Sequence, residues 1–190
     1  MNYREFFNFA TGTMANPNGF DPMTWQSRLA CGAGPASGDD LTKERGARCH
    51  SLLIDIPTGC GKTAGIVLAW LLNRIILQSC HWPNRLVYCL PMRTLVEQTR
   101  DSIALWLGNL LANPVDLEIR REAVSDLRWL AERSPILLMG GEEDDPEKAE
   151  WDLYPETPAI LIGTQDMLLS RALNRGYSMS RYRWPSPHYS

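Results

Sequence analysis

The residues with the clearest chemical competence are Pro57-Thr58-Gly59-Cys60-Gly61-Lys62-Thr63. Two glycines separated by one residue let the backbone turn with its N–H groups aimed inward, forming an anion nest that no Cβ obstructs. Lys62 brings a point charge suited to the β- and γ-phosphates of a nucleotide, and Thr63 offers a hydroxyl to the Mg²⁺ that travels with them. These residue types predict a binding site for ATP and Mg²⁺. The usual G-x-x-x-x-G-K-[ST] spacing would put a glycine at position 56, where Ile56 stands, so the turn falls to Gly59. Cys60 reads as a filler of the loop and not as a nucleophile.

A phosphate cradle needs a strand behind it and a helix N-terminus in front of it, because the helix end adds partial positive charge. The apolar run 52–56 predicts that strand, and the apolar pattern over 62–77 predicts that helix. Further strand-like runs lie at 86–90, 136–139 and 159–162, separated by helical patterns at 94–111 and 117–133. Strands that are continuously apolar and alternate with helices predict a parallel sheet covered on both faces, hence an α/β fold with crossover connections. Residues 1–50 read as a separate N-terminal segment. It has short helices near 3–9 and 23–30 and a Gly-, Ser- and charge-rich loop from Cys31 to His50. Residues 51–190 read as the nucleotide-binding domain.

The bulk composition bounds the partners. The chain has 190 residues, 44% of them hydrophobic, and a formal net charge of −3. Eight acids and one base fall between Gly141 and Thr157, and the remainder of the chain carries +4. A polyanion partner is therefore compatible with the net charge, since local fields and not their sum steer association. The five cysteines are odd in number and show no C-x-x-C spacing, which disfavours a disulfide framework or a zinc site and fits a reducing cytoplasm. The N-terminus has no signal-peptide pattern, and the apolar run over 64–77 is too short and too interrupted for a membrane span.

A second set of residues points to nucleic acid. Pro91-Met92-Arg93-Thr94-Leu95-Val96-Glu97-Gln98 resembles motif Ia of superfamily 2 helicases, with Met92 in place of the usual threonine. There Arg93 and Thr94 would meet the phosphate backbone. Leu138-Met139-Gly140-Gly141 resembles the glycine-containing motif between Ia and Ib, where Gly140 and Gly141 would let a strand approach closely. Gly163-Thr164-Gln165-Asp166 resembles motif Ib, with Gly163, Thr164 and a helix N-terminus binding a further phosphate. Phe20 and Trp25-Gln26 resemble the Q motif, whose glutamine reads the adenine edge. Together with the segments at 6–12, 56–70 and 163–185, these motifs resemble the N-terminal part of CRISPR-associated type I helicases, of the I-G/I-U-like kind whose chain begins at the helicase. The resemblance implies the first RecA-like domain of an ATP-dependent, single-stranded DNA translocase acting in antiviral defence with the surveillance complex.

Such enzymes also use a D-E-x-[HD] box and arginines from a second RecA-like domain. No D-E-x-H or D-E-x-D occurs in the sequence. The expectation is a truncated first RecA-like domain that binds nucleotide and hydrolyses it negligibly. Two other readings stay open on the sequence: a small P-loop kinase, and a non-catalytic nucleotide- or DNA-binding remnant in which Tyr177, Tyr182, Trp184 and Tyr189 stack on bases.

Overall fold

Asn2 opens the first helix because its Oδ1 accepts the Glu5 amide at 2.9 Å while a Glu5 carboxylate oxygen accepts the Asn2 amide at 3.1 Å. Two donors that the helix start would otherwise orphan are satisfied reciprocally. The computed structural model describes residues 2–32, 48–112, 119–138, 154 and 156–172. Its elements run α1 (Tyr3–Thr11), α2 (Thr24–Cys31), α3 (Lys62–Trp70, continuing as a π-type turn over Leu71–Ile76), β1 (Arg85–Leu90), α4 (Arg93–Ala112), α5 (Arg121–Arg133), β2 (Ile136–Leu138), β3 (Ala159–Thr164) and α6 (Gln165–Ala172). They form two compact units, one of Met1–Pro83 with Leu105–Arg128, the other of Asn84–Ala104 with Trp129–Ser190.

The first unit is helical and is built on α3. Val67, Leu68, Ala69, Trp70, Leu71 and Leu72 are all buried, as expected of a helix that is apolar on every side. The helix α2 packs along it. The last turn of α1 would leave carbonyls unmet. Asn109 meets them from α4, its Nδ2 donating to Ala10 O and to Gly12 O at 2.8 Å each. The loop after α1 is tied back by Arg4, which makes a two-point contact with Asp21 at 2.7 and 2.8 Å. Asn8 Nδ2 donates to the same carboxylate at 3.1 Å.

The second unit holds a three-stranded parallel sheet in the order β1-β3-β2. This is the predicted α/β, RecA-like arrangement. Strand β3 is central and its first five residues are buried, which matches its unbroken aliphatic run and the absence of any polar alternation. Ile136, Leu138, Ala159, Leu161 and Leu168 form one cluster, with Val87 packed against it. Arg85 is buried at the start of β1, where its guanidinium donates to Tyr154 O at 2.6 Å and fixes the chain as it approaches β3.

One expected element does not form. Residues 52–56, read as the strand behind the cradle, have no regular structure, and Leu52 and Leu53 are 61% and 97% exposed. A strand is stable only when its N–H and C=O groups meet a neighbour. Among the described residues the three strands pair only with one another. The run 159–162 is longer than predicted, reaching Thr164, and the helix expected over 117–133 begins at Arg121, with 113–118 outside the described residues. Most of the predicted loop between Cys31 and His50 also lies outside them, as does Met139. Among the described residues no helix is long and apolar enough to cross a membrane, and no His, Cys, Asp and Glu gather as a metal cluster.

Candidate nucleotide site and nucleic-acid edge

In the first unit, residues 57–63 turn from the irregular segment into α3. Gly59 and Gly61 both take left-handed backbone angles, φ +85° and φ +66°, which a side chain would strain. A Cβ on Gly59 would meet nothing within 4 Å, so the space above the loop is open. Pro57, Thr58 and Gly59 are exposed, while Cys60, Lys62 and Thr63 are half-buried. Lys62 bends back into the loop, where its ammonium donates to Ile56 O and, at 2.9 Å, to Pro57 O. The cation thus lies against the backbone of the loop itself.

Gln26 joins this loop from α2. Its Nε2 donates to Gly61 O at 2.9 Å and its Oε1 accepts the Met23 amide at 2.7 Å, and the residue is 2% exposed. These two bonds assign the amide its orientation, since a backbone donor must face oxygen and a carbonyl must face nitrogen. Gly61 O also accepts Gly65 N–H at 2.9 Å, the first bond of the α3 helix. A Cβ on Gly61 would stand 2.7 Å from Gln26 Nε2, a second reason for glycine there. The structure therefore places Gln26 with Pro57, Thr58, Gly59, Cys60, Gly61, Lys62 and Thr63 in one locality.

In the second unit, Arg93, Thr94, Gly163 and Thr164 gather at the carboxyl ends of two paired strands. Leu90 of β1 is in register with Thr164 of β3, and α4 and α6 start just beyond. Two helix N-termini placed after adjacent parallel strands favour anions, because a helix start carries partial positive charge. Arg93 and Thr94 are exposed in the first turn of α4. Gly163 is buried, and a Cβ there would come within 2.7 Å of Leu138 O, so its small size serves the packing of β3 on β2. Gly140 and Gly141 lie outside the described residues.

The family model of the DEAD/DEAH box helicases matches residues 41–184, a span that takes in both the phosphate loop and the strand-end edge. The chain belongs to this family. No curated protein and no solved structure matches it. DEAD/DEAH box helicases use ATP with Mg²⁺, and the residues present fit that pair. The glycine turn opens onto free space, a lysine already lies within it, and Thr63 follows at the helix start. The bound metal would neutralise phosphate charge, with Thr63 the residue to hold it and Lys62 the residue to meet the phosphates. Gln26 precedes the span matched by the helicase family, so its placement rests on the geometry alone. Sequence reasoning missed two contacts by which α3 and its continuation meet α2, at Gly65 and Asn73. The signal for the first was a glycine inside a helical pattern, which often marks a close approach.

Proposed function

We propose that this chain is the ATP-binding first RecA-like domain of a DNA helicase or translocase, with Gln26 reading adenine and residues 57–63 holding the phosphates. The observation that carries this reading is the bond from Gln26 Nε2 to Gly61 O beside a lysine seated in its own loop. An adenine-reading amide next to a phosphate cradle makes a nucleotide site selective for one base. Arg93, Thr94 and Thr164 hold the backbone of single-stranded DNA at the edge of the sheet, supported by the anion-favouring helix starts of α4 and α6.

The finer assignment is a role in CRISPR type I antiviral defence, in the cytoplasm, beside the surveillance complex and a second RecA-like domain. Its support is the likeness of the segments around 91–99 and 163–185 to that helicase group. In this role residues 1–190 bind nucleotide and DNA, and turnover depends on an acidic box and arginines that they do not themselves contain. Purified chain should bind a fluorescent ATP derivative and single-stranded DNA while hydrolysing ATP negligibly. DNA-stimulated hydrolysis that Lys62→Ala abolishes would overturn the binding-only role. For the defence role, recruitment to a type I surveillance complex on its target DNA is expected, and binding no better than to bare single-stranded DNA would count against it.

A further inference from the structure

Glycine is the poorest non-proline helix former, yet Gly65 sits in the first turns of α3. A Cβ added there would stand 2.4 Å from Trp25 Cη2 and 2.9 Å from both Trp25 Cζ3 and Gln26 Cγ. The indole of α2 therefore lies directly against the backbone of α3. Eight residues further along the same row, Asn73 is fully buried. Its Nδ2 donates to Ala30 O in α2 at 2.8 Å and to Ala69 O in its own helix at 2.9 Å. Its Oδ1 has no partner among the described residues. An apolar side chain of the same size would avoid that uncompensated oxygen, so what the asparagine supplies is its two donated bonds.

Gly61, Gly65, Ala69 and Asn73 are spaced by four, and neighbours at that spacing share one side of a helix. Three of them meet α2, at Gln26, at Trp25 and at Ala30. We propose that Gly65 and Asn73 are positioning residues for base selection: they seat α2 against the phosphate-loop helix so that the Gln26 amide is held at the height of the base. The idea rests on the reading of Gln26 given above and extends it to residues that touch no nucleotide. After its bonds to Gly61 O and Met23 N–H, the amide keeps one N–H on Nε2 and one lone pair on Oε1. Those match the N7 acceptor and N6 amino donor of adenine. Guanine offers two acceptors on that edge, so the Oε1 lone pair would face O6. Selectivity of this kind depends on where the amide stands, and α2 sets that.

The test compares dissociation constants for fluorescent N-methylanthraniloyl derivatives of ATP and GTP across variants. The unaltered chain should prefer the ATP derivative by about fivefold or more, the lower end of what a two-point base contact discriminates. In Gly65→Ala the preference should shrink to within about twofold of unity while GTP binding is kept, because the phosphate loop is untouched. Adding Trp25→Leu to Gly65→Ala frees the space the new methyl needs and should restore the preference. Asn73→Leu keeps the branched outline of the side chain and removes the bonds to Ala30 and Ala69, and it should lower the preference even where Gly65→Ala does not fold. Unchanged preference in the folded variants, or equal weakening of both nucleotides, overturns the inference and leaves the Gln26 reading intact. No preference in the unaltered chain sinks the Gln26 reading itself and this inference with it.

Discussion

A charge-assisted hydrogen bond contributes about 1.5–3 kcal/mol, and Lys62 is the residue placed to offer one to a phosphate. Lys62→Ala should therefore raise the dissociation constant for the fluorescent ATP derivative by roughly ten- to a hundredfold, while leaving the far-ultraviolet circular dichroism of α3 unchanged. Tyr3 makes a different prediction. Its buried hydroxyl has no partner among the described residues, and burial, with Cys31 a smaller contributor, pushes its ionisation well above the ordinary 10.0. The folded state holds the neutral phenol, so this residue costs nothing extra below pH 10 and lowers stability as pH rises beyond it, where the unfolded chain ionises first. Tyr3→Phe should be neutral or stabilising by about 1 kcal/mol at pH 7 and should flatten the fall in melting temperature above pH 10. At this scale the sequence was informative where chemistry is local. Gly59, Gly61, Lys62 and Thr63 announce an anion site because four neighbours suffice to build one. The contact of Trp25 with Gly65 joins residues forty positions apart, and no spacing rule reports how closely two helices approach.

Segment 52–56 and strand β3 have similar composition and opposite fates, and a pair of substitutions separates them. Leu161 is fully buried in the central strand, so Leu161→Ala should cost about 2–5 kcal/mol in a denaturant titration. Leu53 is exposed in the irregular segment, and Leu53→Ser should change stability by less than about 0.5 kcal/mol. A loss above about 1 kcal/mol for Leu53→Ser would mean that the segment is packed in solution. Hydrogen exchange should give the same contrast, with slow amides across β3 and fast ones over 52–56. The runs at 86–90, 136–139 and 159–162 were readable as strands because an unbroken aliphatic stretch fits a sheet buried on both faces. The same property misled at 52–56, since composition reports that a segment suits a strand and says nothing of whether a neighbour is there to pair with it.

At the scale of the whole chain, a net charge of −3 must be reconciled with a nucleic-acid partner. The edge proposed for DNA draws on local cations and helix starts, so binding of single-stranded oligonucleotides should weaken steeply with salt despite the acidic total. Arg93→Ala should lower affinity for all sequences alike and reduce the slope of log K against log salt by about 0.7. A slope that does not change would remove Arg93 from the contact. The α/β class was legible from the alternation of runs, whereas the division into two units was not, because its boundaries fall inside α4 and α5, where the pattern is continuous. Asn109 adds a matter of timing. The carbonyls of Ala10 and Gly12 wait for a donor that lies nearly a hundred residues downstream. At a synthesis rate of ~5–20 residues per second, the end of α1 leaves the ribosome roughly 5–20 s before the side chain that closes it. The helix α1 is thus made well before it can be finished.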